Sequence, residues 1–281
     1  MLLSKTFFFA CMLIIPVHAI FAQYETPGPD WLADRGTGLP LSIFGNYINK
    51  GEFIFYPFYE YYYDQDAEYK PQELGYNVNI DYRGKYKAHE GLLFFAYGFT
   101  EKLAVEFEMA MISATQYKSG NDVSNMPGNL HESGPGDIEG QIRYRWNKET
   151  ARHPEFFSYY ETVFPSQKNK YLIGTQDWEF KLGHGVIKGF TWGTMTVRAA
   201  LAYDVVEKKT EIGEYAVEYL KRISPRAQIY LGVEGTQDEV EFITDVQIKI
   251  ISKMALRLNN AFGISSKATD YAPEFGLMFR F

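Results

Sequence analysis

Apolar and polar residues alternate with a period of two along much of the chain, and the alternation is cleanest in segments of about ten residues. Within 135–147, Ile138, Gly140, Ile142, Tyr144 and Trp146 alternate with Asp137, Glu139, Gln141, Arg143 and Arg145. Within 239–250, Val240, Phe242, Val246, Ile248 and Ile250 stand against Glu241, Asp245, Gln247 and Lys249. The same holds for Leu103, Val105, Phe107, Met109 and Met111 against Glu106 and Glu108, and for Trp178, Phe180 and Leu182 against Asp177, Glu179 and Lys181. The chain ends on Pro273, Phe275, Leu277, Phe279 and Phe281, interleaved with Glu274, Gly276, Met278 and Arg280. Successive strand residues point to opposite faces, so the pattern predicts an all-β chain whose strands have one apolar and one charged face.

Twelve such strands can be laid out between turn signals: 51–63, 86–98, 102–116, 135–147, 154–165, 175–187, 191–205, 212–222, 226–236, 239–250, 254–264 and 271–281. Each is near the roughly 9–11 residues that cross a bilayer at a tilt of about 45°. The connections alternate in length. Tight turns are expected at 98–102, 188–190, 223–225 and 252–253, and long polar loops at 64–85, 116–134 and 166–174. Short periplasmic turns and long extracellular loops are the habit of an outer-membrane barrel. The prediction is a transmembrane antiparallel β-barrel of about 12 strands, an up-and-down meander occupying residues 51–281 in the bacterial outer membrane. A soluble sandwich or lipocalin-like barrel has the same alternation with the faces reversed. Two stretches strain the layout. Residues 76–83 alternate on their own, so the second strand either starts there and bends at Gly84 or a separate crossing breaks the even count; 147–154 is long for a periplasmic turn.

Ahead of the strands, Lys5, an apolar run from Thr6 to Pro16 and the ending Ala19-Ile-Phe-Ala22 have the form of a secretory signal peptide, 1–22, cut before Gln23. Ile20 is larger than the residue usual at that position. The run is too short to be a transmembrane anchor. Residues 23–50 hold Pro27, Pro29, Gly36, Gly38, Pro40 and Gly45 and keep neither period; they are expected to be a periplasmic tail or a partial plug folded back into the lumen.

Composition then narrows the classes. The 22 Tyr and 22 Phe exceed what a soluble domain of ordinary charge, here 22%, would need, and barrels place such rings in interfacial girdles. The one cysteine, Cys11, falls in the signal, which excludes disulfides and thiolate metal sites from the mature chain. A net charge of −7 argues against a nucleic-acid partner.

If the apolar face meets lipid, the charged face lines the lumen. The acidic candidates are Glu60, Glu106, Glu108, Asp137, Glu139, Glu161, Asp177, Glu179, Glu234, Glu241, Asp245 and Glu274; the basic ones are Arg143, Arg145, Lys181, Arg198, Lys249, Arg257 and Arg280. Mixed signs at this density predict a cross-strand ion-pair lattice rather than an open ring of one sign, with a modest cation preference at most. The last strand is expected to close the cylinder against Phe53 and Phe55, which requires Arg280 and Glu274 to share the lumen with Glu60.

The segments Glu132-Ser-Gly-Pro-Gly-Asp-Ile-Glu-Gly-Gln-Ile-Arg-Tyr-Arg-Trp146 and Tyr97-Gly-Phe-Thr-Glu-Lys-Leu-Ala-Val-Glu-Phe107, with the C-terminal strand, carry a resemblance. Over most of 51–281 the chain resembles the outer-membrane proteins grouped as the MetA-pathway of phenol degradation family. That resemblance implies a channel or uptake port for small hydrophobic or aromatic compounds, and it implies no catalytic residue. Gly134, Gly136 and Asp137 match its Gly-x-Gly-Asp motif, with a structural role as the plain expectation: the glycines permit a bend and Asp137 caps or pairs at the rim. The terminal Phe281 is, by the same class resemblance, the signal read by the barrel assembly machinery. A structural or surface-interaction barrel with a closed lumen is the competing reading.

An outer-membrane hydrolase comes third. His131 beside Glu132 and Ser133 is the most suggestive cluster; His89 has no nucleophile near it in sequence, and His184, toward the periplasmic end of its strand, and His153, in a periplasmic connection, are not placed like surface hydrolase residues. Asp64, Asp66 and Glu68 alternate but lack the glycine and terminal Glu of a calcium loop. No catalytic residue, metal or cofactor is expected; the expected partners are outer-membrane lipid and small hydrophobic or aromatic solutes.

Overall fold

Twelve antiparallel strands form one closed barrel in a computed structural model that describes residues 29–166, 169–175, 177–205 and 208–281. The proposed signal peptide, its cleavage site and Cys11 lie outside the described residues. A short 3-10 turn, Asp30–Leu32, is followed by a two-residue ladder, β1 (Leu39–Pro40) with β2 (Tyr47–Ile48). The barrel strands are β3 (Phe53–Tyr69), β4 (Tyr82–Gly98), β5 (Leu103–Tyr117), β6 (Asn129–Asn147), β7 (Glu155–Phe164) and β8 (Glu179–Phe190), then β9 (Gly193–Asp204), β10 (Lys209–Ser224), β11 (Ala227–Gly235), β12 (Val240–Ile251), β13 (Met254–Gly263) and β14 (Tyr271–Arg280). Each pairs with its sequence neighbours. The cylinder closes between β14 and β3, where Glu274 pairs with Glu60 and Phe279 with Phe55. The Phe281 N–H donates to the Phe53 carbonyl at 2.9 Å, so the last residue completes the seam.

Burial decides which face is which. Arg145, Arg257 and Asp245 are each 1% exposed, while Leu201 and Phe275 on the opposite faces are 57% and 55% exposed. A soluble barrel would show the reverse, because unpaired charge is excluded from a core and apolar surface from water. The outer wall is an apolar surface made for hydrocarbon, and no helix among the described residues is long and apolar enough to cross a membrane.

Several boundaries differ from the sequence expectation, and each has a local cause. Strand β6 starts at Asn129, six residues before the predicted 135, because the ladder with β5 slips between Met109 and Met111, opposite the Pro135–Ile138 stretch. The bulge interchanges the faces there, so even-numbered residues point inward before it and odd-numbered ones after it. Gly134, at φ +145°, makes the slip feasible. Strand β8 runs through 188–190, where the sequence predicts a turn, and the reversal falls on Thr191–Trp192. Gly189 faces inward against the Trp31 carbonyl, where a Cβ would collide; it is a point of close approach, not of turning. Residues 76–81 form no separate crossing: Gln72 N–H bonds the Val78 carbonyl at 2.9 Å within a turn, and β4 begins at Tyr82.

The interior is occupied at the periplasmic end. Leu39, Leu41, Ile43 and Ile48 pack with the inward-facing Ile54, Tyr56, Phe94, Ala96, Ala104 and Met278. Tyr47 joins Phe157, Tyr159, Ile187, Leu220 and Tyr230 on the other side, with Phe44 against them. The segment from Asp30 to Ile48 is therefore folded inside the barrel.

Candidate functional site

Three zones are stacked along the axis. In the lowest, arginines hold the inner segment by its backbone. Arg145 Nη1 donates to the carbonyls of Thr37 at 2.9 Å and Gly38 at 2.8 Å, and Arg280 to that of Tyr47 at 2.9 Å. Arg35 of the segment is paired with Glu149 at 2.8 Å and Glu155 at 3.2 Å, with no solvent-exposed side-chain surface. The Glu149 carboxylate also takes the Gly189 N–H at 2.8 Å. This explains the long 148–154 connection, which reaches under the barrel to pin the segment.

The middle zone is the ion-pair lattice. Arg143 meets Glu106 at 2.7 Å, and Glu106 accepts the Ser42 N–H at 2.9 Å. Arg198 is surrounded by Glu214, Glu218 at 2.6 Å and Glu234 at 2.7 Å. Lys181 bridges Glu161 at 2.8 Å and Glu214 at 3.3 Å, and Arg257 holds Asp245 at 2.9 Å with its guanidinium 5.2 Å over the Tyr56 ring. Inward glycines make room for rings between these charges: a Cβ at Gly183 would strike Tyr159, and one at Gly185 would strike Phe157.

Above the lattice, toward the long loops, lies a cavity of about 560 Å³. Its floor is Ser42, Ile43 and Phe44 of the inner segment, and Leu172, Ile173, Gly174 and Thr175 of the loop after β7 fold over it. The walls mix apolar side chains, Phe58, Leu92, Ala110, Ile112 and Ile243, with eight carboxylates, Glu60, Glu90, Glu108, Asp137, Glu139, Glu234, Glu241 and Glu274. Arg257 is the one basic residue among them. The lattice thus stops short of the upper lumen, and a zone of one sign stands where none was expected. Sequence order cannot show it, since the segregation is between levels of the barrel rather than between strands.

Most of the expected lumen residues fall on inward positions, with two corrections. Asp177 precedes β8, which begins at Glu179, so it is an exposed loop residue; Glu179 is exposed at the same rim. Lys249 keeps the inward parity but stands exposed at the periplasmic end of β12, beyond the lattice. Glu90 was missed because its face of β4 is otherwise apolar, Ala88, Leu92, Phe94 and Ala96. Asn259, which donates to Glu274 at 3.2 Å, was missed beside Arg257 on the same face. Asp137 in the Gly-x-Gly-Asp motif accepts N–H bonds from Ser166, at 2.9 Å, and from Thr175, fastening the folded-in loop to the mouth. The Tyr56 hydroxyl donates to Glu274, and Ile173 is 3% exposed against Ala88 and Ala114.

The suggested hydrolase cluster is not assembled. His131 faces outward with its Nδ1 2.9 Å from the Thr115 hydroxyl, whereas Glu132 turns inward and accepts the Leu172 N–H at 2.8 Å. Asp64, Asp66 and Glu68 are on β3 rather than a loop, and the last two pair with Arg83, each at 3.4 Å. No group of three or more His, Asp or Glu side chains among the described residues is arranged to hold a metal ion.

Comparison with known proteins gives the fold a context. No protein-family model matches the chain. No curated protein matches it by sequence. Among solved structures it is similar to an outer-membrane channel from Pseudomonas putida F1, with a TM-score of 0.60 and 12% identity over 83% of this chain and 97% of that one. It is also similar to the translocator domain of the autotransporter NalP from Neisseria meningitidis, with a TM-score of 0.51 and 11% identity over 83% and 90% of the two chains. At these identities the likeness shows the fold, a 12-stranded outer-membrane β-barrel.

Proposed function

We propose that this barrel is an outer-membrane port for small hydrophobic or aromatic molecules. The observation that carries the reading is the 560 Å³ cavity, with apolar strips beside a few placed polar groups. Small-molecule sites have this size and this mixture. The carboxylates disfavour an anionic solute, so the port takes neutral or cationic compounds in preference to aromatic acids. Similarity in fold to an outer-membrane channel supports the reading, as does the resemblance of the Gly134–Asp137 motif and the 97–107 hairpin to the MetA-pathway of phenol degradation family. Cleavage of residues 1–22 and recognition of the strand ending in Phe281 by the assembly machinery complete the route to the membrane.

The second reading, a barrel with a closed lumen, is favoured by the inner segment. A void beside Pro40, Arg143 and Arg198 measures only about 10 Å³, no more than a water. Uptake into liposomes separates the two. Vesicles carrying the protein should accumulate a neutral monoaromatic or an aromatic amine faster than empty vesicles and faster than the matching carboxylate. Rates equal to those of empty vesicles, with no conductance in planar bilayers, would leave the closed barrel standing.

A further inference from the structure

The outer wall is mainly apolar, with Ser158 and His184 among its outward residues on β7 and β8, and at the long-loop end one arc of it changes character. Pairing fixes two rows around the barrel. The upper row runs Tyr271, Tyr63, Lys87, Thr115, His131, each directly opposite the next across the ladder from β14 to β6. The row beneath runs Tyr61, His89, Ser113, Ser133. All are on the outward parity, continuing Phe95, Leu93 and Gly91 of β4 and Phe107, Met109 and Met111 of β5. Lys85, one step higher, has its ammonium 4.7 Å over the Tyr117 ring, and Lys87 lies 5.5 Å over that of Tyr63. Neither row contains a carboxylate. At the same end of β7, β8, β9 and β12 the outward residues are Phe164, Phe180, Tyr203 and Phe242.

The placement of these groups has a physical consequence. From Tyr97 to Lys87 is ten residues of a strand rising about 3.4 Å each. At a tilt of about 40° that is roughly 26 Å along the normal, the height of a barrel's apolar band. The lysines therefore stand at the headgroup level of the leaflet on the long-loop side. They are held on aromatic rings, which leaves them able to meet an anion from outside. Two histidines stand in the same rows. His89 Nδ1 is 2.6 Å from the Tyr59 hydroxyl and His131 Nδ1 is 2.9 Å from that of Thr115.

The geometry points to a binding site for the phosphate groups of an outer-leaflet glycolipid, of the bisphosphorylated lipid A type, on the β3–β6 arc. Its acyl chains lie on the Phe95, Phe107 and Met109 wall below, and its phosphates meet Lys85 and Lys87. The inference rests on the outer-membrane placement of the barrel and is separate from what the lumen passes.

The test uses the full mature chain in non-ionic detergent and fluorescently labelled bisphosphorylated lipid A. Binding should weaken about tenfold in K85Q/K87Q, stay within about twofold in K85R/K87R, and be unchanged in K249Q/K253Q at the periplasmic rim. Enzymatically dephosphorylated lipid A should bind wild type as weakly as bisphosphorylated lipid A binds K85Q/K87Q. Folding of every variant is checked by its heat-dependent gel mobility. Equal binding of both lipids by wild type, or no loss in a folded K85Q/K87Q barrel, would overturn the site. Liposome uptake by K85Q/K87Q should remain at the wild-type rate, so failure of the port reading would appear there and not in the lipid assay.

Discussion

Arg257 and Asp245 illustrate what single residues do in this interior. Both are buried, 2.9 Å apart, and Asp245 also accepts from Gln247 at 2.7 Å. Removing one member of a buried pair leaves an uncompensated charge, at a cost of about 3–5 kcal/mol, while removing both is far milder. Arg257→Met is therefore expected to lower stability by about that amount, and Arg257→Met with Asp245→Asn to recover most of it, measured by urea unfolding in lipid vesicles. At Gly183 the constraint is steric. Gly183→Ala places a methyl group against the Tyr159 ring and should destabilise by about 1–3 kcal/mol in the same assay, with little relief from Tyr159→Phe, because the nearest atoms are ring carbons that phenylalanine keeps. The charges at most of these positions were legible in the sequence, because alternation puts them on one face. Their partners were not, since Arg198 gathers Glu214, Glu218 and Glu234 from two strands whose register no sequence pattern specifies.

At the level of elements, the segment Asp30–Ile48 is held by hydrogen bonds from wall arginines to its carbonyls as much as by apolar packing. Arg145→Ala removes two of these donors and should loosen the segment without opening the barrel. Residues 23–281 contain no cysteine, so in a chain of those residues a single Leu39→Cys, at a position 1% exposed, reports on it. Maleimide should label that cysteine at least about tenfold faster when Arg145→Ala is added, with gel mobility unchanged. An equal rate would show that the segment is held by its apolar contacts alone. The sequence left this element open because 23–50 shows neither period. Its residues are irregular for a reason: they satisfy a polar wall on one side and an apolar one on the other, which imposes no fixed repeat. The bulge at Gly134–Asp137 hid the first part of β6 in the same way, by interchanging the inward and outward faces.

For the whole molecule, the stacking of three zones predicts how passage depends on charge and on the inner segment. Deleting residues 29–48 should raise single-channel conductance several-fold over the undeleted barrel, because the floor of the cavity and the fill beneath it go together. Glu139→Gln with Glu241→Gln should shift the reversal potential of the deleted barrel toward zero under a salt gradient, since both carboxylates line a cavity whose lining holds one basic residue. An unchanged reversal potential would place the selectivity of the pore in the lattice below.

The sequence by itself determined the barrel: the strand number and the closing strand that ends in Phe281 follow from a period-two pattern that only a two-faced strand satisfies, and the unequal loops from the turn signals between the strands. Alternation is indifferent to inside and outside, however, and to height along the axis. Only the tertiary structure decided that arginines gather low, around a chain segment whose carbonyls they bond, and that carboxylates stand together above them. The reason is that strand stagger, fixed by ladder pairing across the whole cylinder, sets which residues share a level, and no local stretch of sequence encodes it.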